Sequence, residues 1–173
     1  MAYTDPITVN VGDTGHAADW NTYIRDNFRA SVHPLAYKSA DEPVTSTTLQ
    51  NDDHLFFAMG ANDIWYVNFG LLVNDASSST ADIKLAFTFP SGSIALYTVY
   101  PDNAGALNWF EWRVSGTSAA INATNVDRFV SITGVATNGA TPGNLQLQWA
   151  QNVSNASAVT MKKGSHILGF KLA

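Results

Sequence analysis

The chain has 173 residues, of which 46% are hydrophobic and only 13% charged, with a formal net charge of −5 and no cysteine. Its nine lysines and arginines are spread thinly, which excludes the clustered basic footprint that phosphate neutralisation requires, so no direct nucleic-acid partner is expected. Without cysteine there are no disulfides, thiolate metal sites or thiol nucleophiles, and stability must come from burial, hydrogen bonds and subunit contacts.

The length suits one domain with a sizeable core, and the abundance of Ser, Thr, Asn, Ala and Gly is typical of strand-and-turn proteins. Residues 1 to about 16 read as an extended arm, with Pro6 before the β-like piece 7–11 and a turn at 12–15. Fully extended, such an arm reaches on the order of 50 Å, from roughly 3.3 Å per residue. A short amphipathic helix follows over 17–30, where Trp20, Ile24 and Phe28 recur every fourth position with Tyr23 and Arg25 among them. A helix this short is marginal alone in water, so Trp20, Tyr23, Ile24, Arg25 and Phe28 are the expected partner-docking residues. His33 before Pro34 ends it.

From residue 36 the apolar pattern changes to period two. Residues 64–73 are apolar on both sides and predict a strand covered on both faces, while 83–89 and 145–150 alternate as half-buried strands. Weaker strands are predicted over 54–58, 93–99, 108–114, 128–134, 158–162 and 166–172, with Gly134, Gly139, Gly143 and Gly164 assigned to turns. The reading is all-β: a jelly-roll-like sandwich of about eight to nine antiparallel strands over 36–173, preceded by the arm and docking helix over 1–35. No basic region leads into an apolar stretch at the N-terminus, and no run approaches bilayer-spanning length. A soluble protein made in the cytoplasm, with no membrane partner, is expected.

Chemistry-bearing motifs are few. His16, His33, His54 and His166 stand apart, without helical zinc spacing, and there is neither a Gly-x-Ser-x-Gly elbow nor a phosphate-cradling glycine loop. Asp52, Asp53 and His54 form one local polar cluster that combines hard oxygen ligands with an imidazole. A solvated turn leading into the next strand is the preferred reading, so no catalytic, cofactor or metal residues are assigned. Glu111 and Asp127 are acids that a glycoside hydrolase could use, but nothing in the sequence pairs them. Tyr66, Tyr97, Tyr100, Trp109 and Trp112 are expected to make packing or oligomer contacts, with a sugar-stacking platform as the alternative.

Two segments carry a resemblance. Val11, Gly12 and Asp13, followed by Ala17 to Thr22 and by Ile24 to Phe28, are similar to the N-terminal segment of tailed-bacteriophage structural proteins, in which an arm precedes an Asn-Thr-x-x-Arg-Asp-Asn helix. His16 stands where a capping threonine is usual. Lys38 to Glu42, Thr48 to Leu55, Ala61 to Trp65, Ala81 to Phe87 and Lys163 to Ile167 resemble the strand-rich domain that follows this helix in such proteins. The resemblance implies a jelly roll of the tumour-necrosis-factor and C1q type, a homotrimer, residence in the virion and no enzymatic activity. The resemblance does not fix the location within the virion; one arm, one helix and one domain, with no shaft, coiled coil or collagen-like repeat, favour a capsid decoration or cement protein whose partner is the major capsid protein, with a minor tail or short tail-fibre protein that contacts the host surface as the alternative.

Overall fold

The computed structural model describes residues 35–77, 81–101 and 107–173, all within the compact unit Pro34–Ala173. The arm, the helix and the docking residues Trp20, Tyr23, Ile24, Arg25 and Phe28 lie outside the described residues. Twelve strands are present among those described: β1 (Ala36–Tyr37), β2 (Glu42–Val44), β3 (Gln50–Met59), β4 (Ile64–Asp75), β5 (Ile83–Thr88), β6 (Ser93–Pro101), β7 (Leu107–Trp112), β8 (Ser118–Ile121), β9 (Arg128–Thr137), β10 (Gly143–Gln151), β11 (Val159–Met161) and β12 (His166–Lys171). All nine predicted strands are found. The three not predicted, β1, β2 and β8, are two to four residues long.

The strands form two antiparallel sheets, one of eight and one of four. The larger runs β1-β12-β4-β9-β6-β7, with β11 taking over from β12 along the edge of β4 and carrying β2; the smaller runs β3-β10-β5-β8. The pairs β1·β12, β3·β10, β4·β9 and β5·β8 are nested one inside the next along the chain. A long antiparallel hairpin rolled around a common core gives this nesting, and it defines the sandwich as a jelly roll. The β6–β7 hairpin is an addition between β5 and β8 that widens the larger sheet beyond β9.

Period-two alternation decides what fills the space between the sheets. Val67, Phe69, Leu71 and Val73 of β4 face inward and are fully buried, as are Ile83, Leu85 and Phe87 of β5 and Leu145, Leu147 and Trp149 of β10. Edge-to-face contacts run through this core, with Phe69 and Phe87 centred 4.8 Å apart and Phe87 and Trp112 centred 5.3 Å apart. Trp112 is wholly buried, and its indole N–H donates to the Leu85 carbonyl at 3.2 Å. Trp112, expected to make packing or oligomer contacts, packs in the core and is unavailable to a partner or a sugar, because it has the opposite parity to Trp109 on β7.

Gly134 also departs from the reading, which put it in a turn. It lies inside β9, paired with Leu96 and Val67, where an added Cβ would stand 1.9 Å from the Ala95 carbonyl oxygen. Glycine here permits close approach of two strands. Gly92 is a true turn glycine, with φ +82° and an added Cβ only 2.0 Å from the Thr137 carbonyl oxygen. Gly92→Ala therefore combines left-handed strain with a backbone clash and is expected to destabilise the fold by about 2–3 kcal/mol, read as a lowered denaturation midpoint.

Candidate functional site

Two places in the jelly roll gather side chains that the core does not use. The first is the outward face of the larger sheet. The register lines up Phe170 of β12, Tyr66 of β4 and Val135 of β9, and beside them Tyr97 of β6. Val99 stands opposite Trp109 of β7 in the next pair. Trp109 and Leu107 are 74% exposed, and Phe129 and Phe170 58%. Most of the large apolar side chains left exposed among the described residues stand on this face. Along the outward positions of β4, β6, β7, β9 and β12, Glu111 is the sole Lys, Arg, Asp or Glu. Charges are kept to the rim, in the pairs Lys171–Asp63, Lys162–Asp41 and Arg113–Glu111.

The face is pre-ordered by its own contacts. The Tyr66 and Phe170 rings stack at 5.2 Å, and the Thr133 hydroxyl donates to the Tyr66 hydroxyl at 2.9 Å. Gly70 leaves room for the His166 and Phe129 rings to lie across the strand, since an added Cβ would meet them at 2.6 and 3.1 Å. Thus β4, read as covered on both sides, is covered on its inner face and only partly on its outer one. The outward face of the smaller sheet is mostly polar, presenting Asn51, Lys84, Thr88, Gln146, Gln148 and Ser118, with Phe56 the large apolar side chain exposed among them. Of the contacts read from sequence, the structure places Tyr66, Tyr97 and Trp109 on the apolar face and Trp112 in the core. Tyr100 belongs to β6, and its side chain lies outside the described residues.

The second place is an ionic cluster that the sequence reading took for a solvated turn. Asp52, Asp53 and His54 instead lie inside β3, in a bulge where Gln146 pairs with Phe56 but Gln148 already pairs with Asn51. Extra residues on one strand loop out at such an irregularity. The Gln146 amide repairs the ladder by donating to the Asp52 carbonyl at 2.9 Å. Lys38, from the segment after β1, enters the bulge; its side chain and that of Asp52 are both fully buried. Lys38 Nζ lies 3.0 and 3.1 Å from the two Asp52 oxygens and 2.7 Å from Asp53, and it also bonds Glu42. Asp52 additionally accepts the backbone N–H groups of His54 and Leu55 and the Trp149 indole N–H, at 2.8 to 3.0 Å.

Burial pushes the Lys38 amine down, but Asp53, Glu42 and Asp52 outweigh it and hold the group above its ordinary value. Glu42 is held above the usual carboxyl range by burial and by its two acidic neighbours, against the pull of Lys38. Asp53 is drawn down to about 2, chiefly by its hydrogen bond from Lys38. A depressed carboxyl stabilises the fold above its unfolded value near 3.8 and loses that contribution as pH falls toward 2. While Lys38 is a free ammonium, Asp53→Asn is accordingly expected to flatten the stability profile between about pH 4 and pH 2, measured as urea midpoints across that window.

Ligand atoms of Asp52, Asp53 and His54 lie within 4.8 Å of one another, a spacing that a cation could bridge. The Lys38 ammonium already stands among these carboxylates, and a metal would have to displace it. Ser39 Oγ, His54 Nε2 and His54 Nδ1 with Asp53 form a hydrogen-bonded series, but Ser39 is exposed and Asp53 is committed to Lys38. The two acids considered for sugar hydrolysis are not brought together. Glu111 is level with Thr133 through Tyr97, whereas Asp127 precedes β9, about 20 Å along the strand at roughly 3.3 Å per residue. Glu111 is paired with Arg113, and Asp127 accepts from Asn74. No helix among the described residues is long and apolar enough to cross a membrane.

No family model and no curated protein matches the sequence. Among solved structures, the chain is similar to one from the structure of infectious bursal disease virus, Gt strain, with 13% identity and a TM-score of 0.41, covering 81% of this chain. This chain spans 34% of that one, about a third of its length.

Proposed function

We propose that this chain is a non-enzymatic structural protein of a tailed-bacteriophage particle, made in the host cytoplasm and incorporated into the virion as a capsid decoration protein. It acts as a homotrimer that packs the outward faces of the larger sheets around a common axis, while residues 1–35 dock on the major capsid protein. The observation that carries the assembly is the near-absence of charge on a broad aromatic face. Monomers rarely leave a large contiguous apolar patch in water, and a face this poor in charge offers little electrostatic selection for a foreign partner. Closed symmetry buries the same patch on every copy. The virion role rests on the likeness of the sequence over residues 11–13, 17–22 and 24–28 to the N-terminal segment of tailed-phage structural proteins. Cementing follows mechanically, since contacts that bind only the assembled shell shift its stability by mass action.

A minor tail or short tail-fibre protein is the second reading, favoured by one observation: Trp109 is largely exposed on the edge strand β7, where an aromatic face could stack on a glycan ring. Capsid pelleting with the full chain and with a deletion of residues 1–30 tests the docking. The deletion is expected to remain a folded trimer and to lose capsid binding. Undiminished binding would sink the arm-docking idea. Trp109→Ala tests the second reading: weaker attachment to host cells with the trimer intact would favour a tail role over decoration.

A further inference from the structure

Lys38 and Asp52 are both fully buried and face each other, with Nζ close to both carboxyl oxygens. An ammonium and a carboxylate so placed differ from an amide by one molecule of water. In solution three things oppose the condensation: water competes, the amine holds its proton, and the carboxylate is a poor electrophile. The first and the last are countered here, and the carboxylates that hold the amine's proton more firmly than water does also stand in place to accept it. Neither reacting side chain has access to solvent. The N–H groups of His54, Leu55 and the Trp149 indole point at the Asp52 oxygens, and donors so placed also stabilise the oxyanion formed when an amine adds to the carboxyl carbon. Glu42 and Asp53 sit on Nζ as proton acceptors. Three carboxyl groups share one ammonium, and burial favours the protonated form of Glu42, so this side chain can both take and return a proton.

We propose that Lys38 and Asp52 join through an intramolecular isopeptide bond, with Glu42 as the proton carrier. Glu42 first takes a proton from the ammonium, and the lone pair freed on Nζ adds to Cγ of Asp52 and forms the new C–N bond. Glu42 passes protons from Nζ to one Oδ, the Cγ–Oδ bond breaks, and the oxygen leaves as water. Ammonium plus carboxylate gives amide plus water, with no oxidant, reductant or co-reactant. The product ties the segment after β1 to the bulge of β3, a covalent link in a chain that has no cysteine to form one. It stands independently of the virion reading.

Intact mass spectrometry of the denatured full-length protein decides it, beside Lys38→Arg and Glu42→Gln prepared in the same way. The wild type is expected to fall short of its sequence mass by one water and both variants to retain it. Proteolysis should then release a branched peptide that carries residues 38 and 52 and resists hydroxylamine, which opens the cyclic imides that aspartate also forms by losing water. A wild-type protein at full sequence mass, or a water loss traced to an imide within one peptide, overturns the bond and leaves an ordinary buried ion pair. Water loss that persists in Glu42→Gln removes Glu42 from the mechanism. The wild-type measurement does not depend on either variant folding.

Discussion

Tyr97→Lys is expected to turn the assembled protein into a folded monomer. The position faces outward on β6 and is half exposed, so a lysine there stays hydrated in the lone subunit. Its cross-strand neighbour Glu111 is already held by Arg113, so the new ammonium gains no partner of its own on this face and relies on water. Association is another matter, because the face would then bury a charge on every copy. Removing an ion from water without full compensation costs on the order of 3 kcal/mol, which weakens association roughly a hundredfold for each copy. Gln148→Lys, on the polar outward face of the smaller sheet, is the matched control and should leave assembly unchanged. Sedimentation velocity reads the mass, and far-ultraviolet circular dichroism confirms the fold. A Tyr97→Lys protein that assembles like the wild type would remove this face from the interface.

Lys38→Met is expected to be strongly destabilising. Methionine fills a similar volume, so little cavity is left and the loss is electrostatic. Asp52 remains fully buried with its three N–H donors but without its cation, while Asp53 and Glu42 keep adding negative charge nearby. Stripping one partner from a buried pair typically destabilises by about 3–5 kcal/mol. The same sign follows whether the pair is ionic or joined as an amide, since either way a free carboxylate is left buried. Denaturant unfolding at neutral pH measures it, and a change below about 1 kcal/mol would mean that the cluster is worth no more than an exposed ion pair.

The jelly roll was legible where alternation ran long enough to see. Strands β4, β5 and β10 declare themselves by regular apolar positions, and the turns between strands by Asn, Asp, Ser, Gly and Pro. The three strands not foreseen are too short to show a period. β2 contains Pro43, tolerated because the strand lies at an edge, and β8 is built of Ser, Ala and Ile with little strand signal before its last residue. Parity could have separated Trp109 from Trp112, three positions apart and therefore on opposite sides of β7; grouping aromatics by proximity overrode that rule. The Lys38 cluster was not legible. A lone lysine after a two-residue strand finds Asp52 fourteen positions later only because β3 bulges there, and bulges leave no mark in hydrophobic periodicity. That the aromatic face of the larger sheet is left bare was likewise beyond sequence, because period two reports that two faces differ without saying which neighbour covers each.

The most direct test of the virion reading is the copy number of this protein in purified particles, measured by quantitative mass spectrometry against the major capsid protein. The account predicts copies in multiples of three and at a large fraction of the capsid protein's abundance, as a decoration spread over the shell demands. A few copies per particle would contradict decoration and move the protein to the tail, and its absence from purified particles would contradict the virion role altogether.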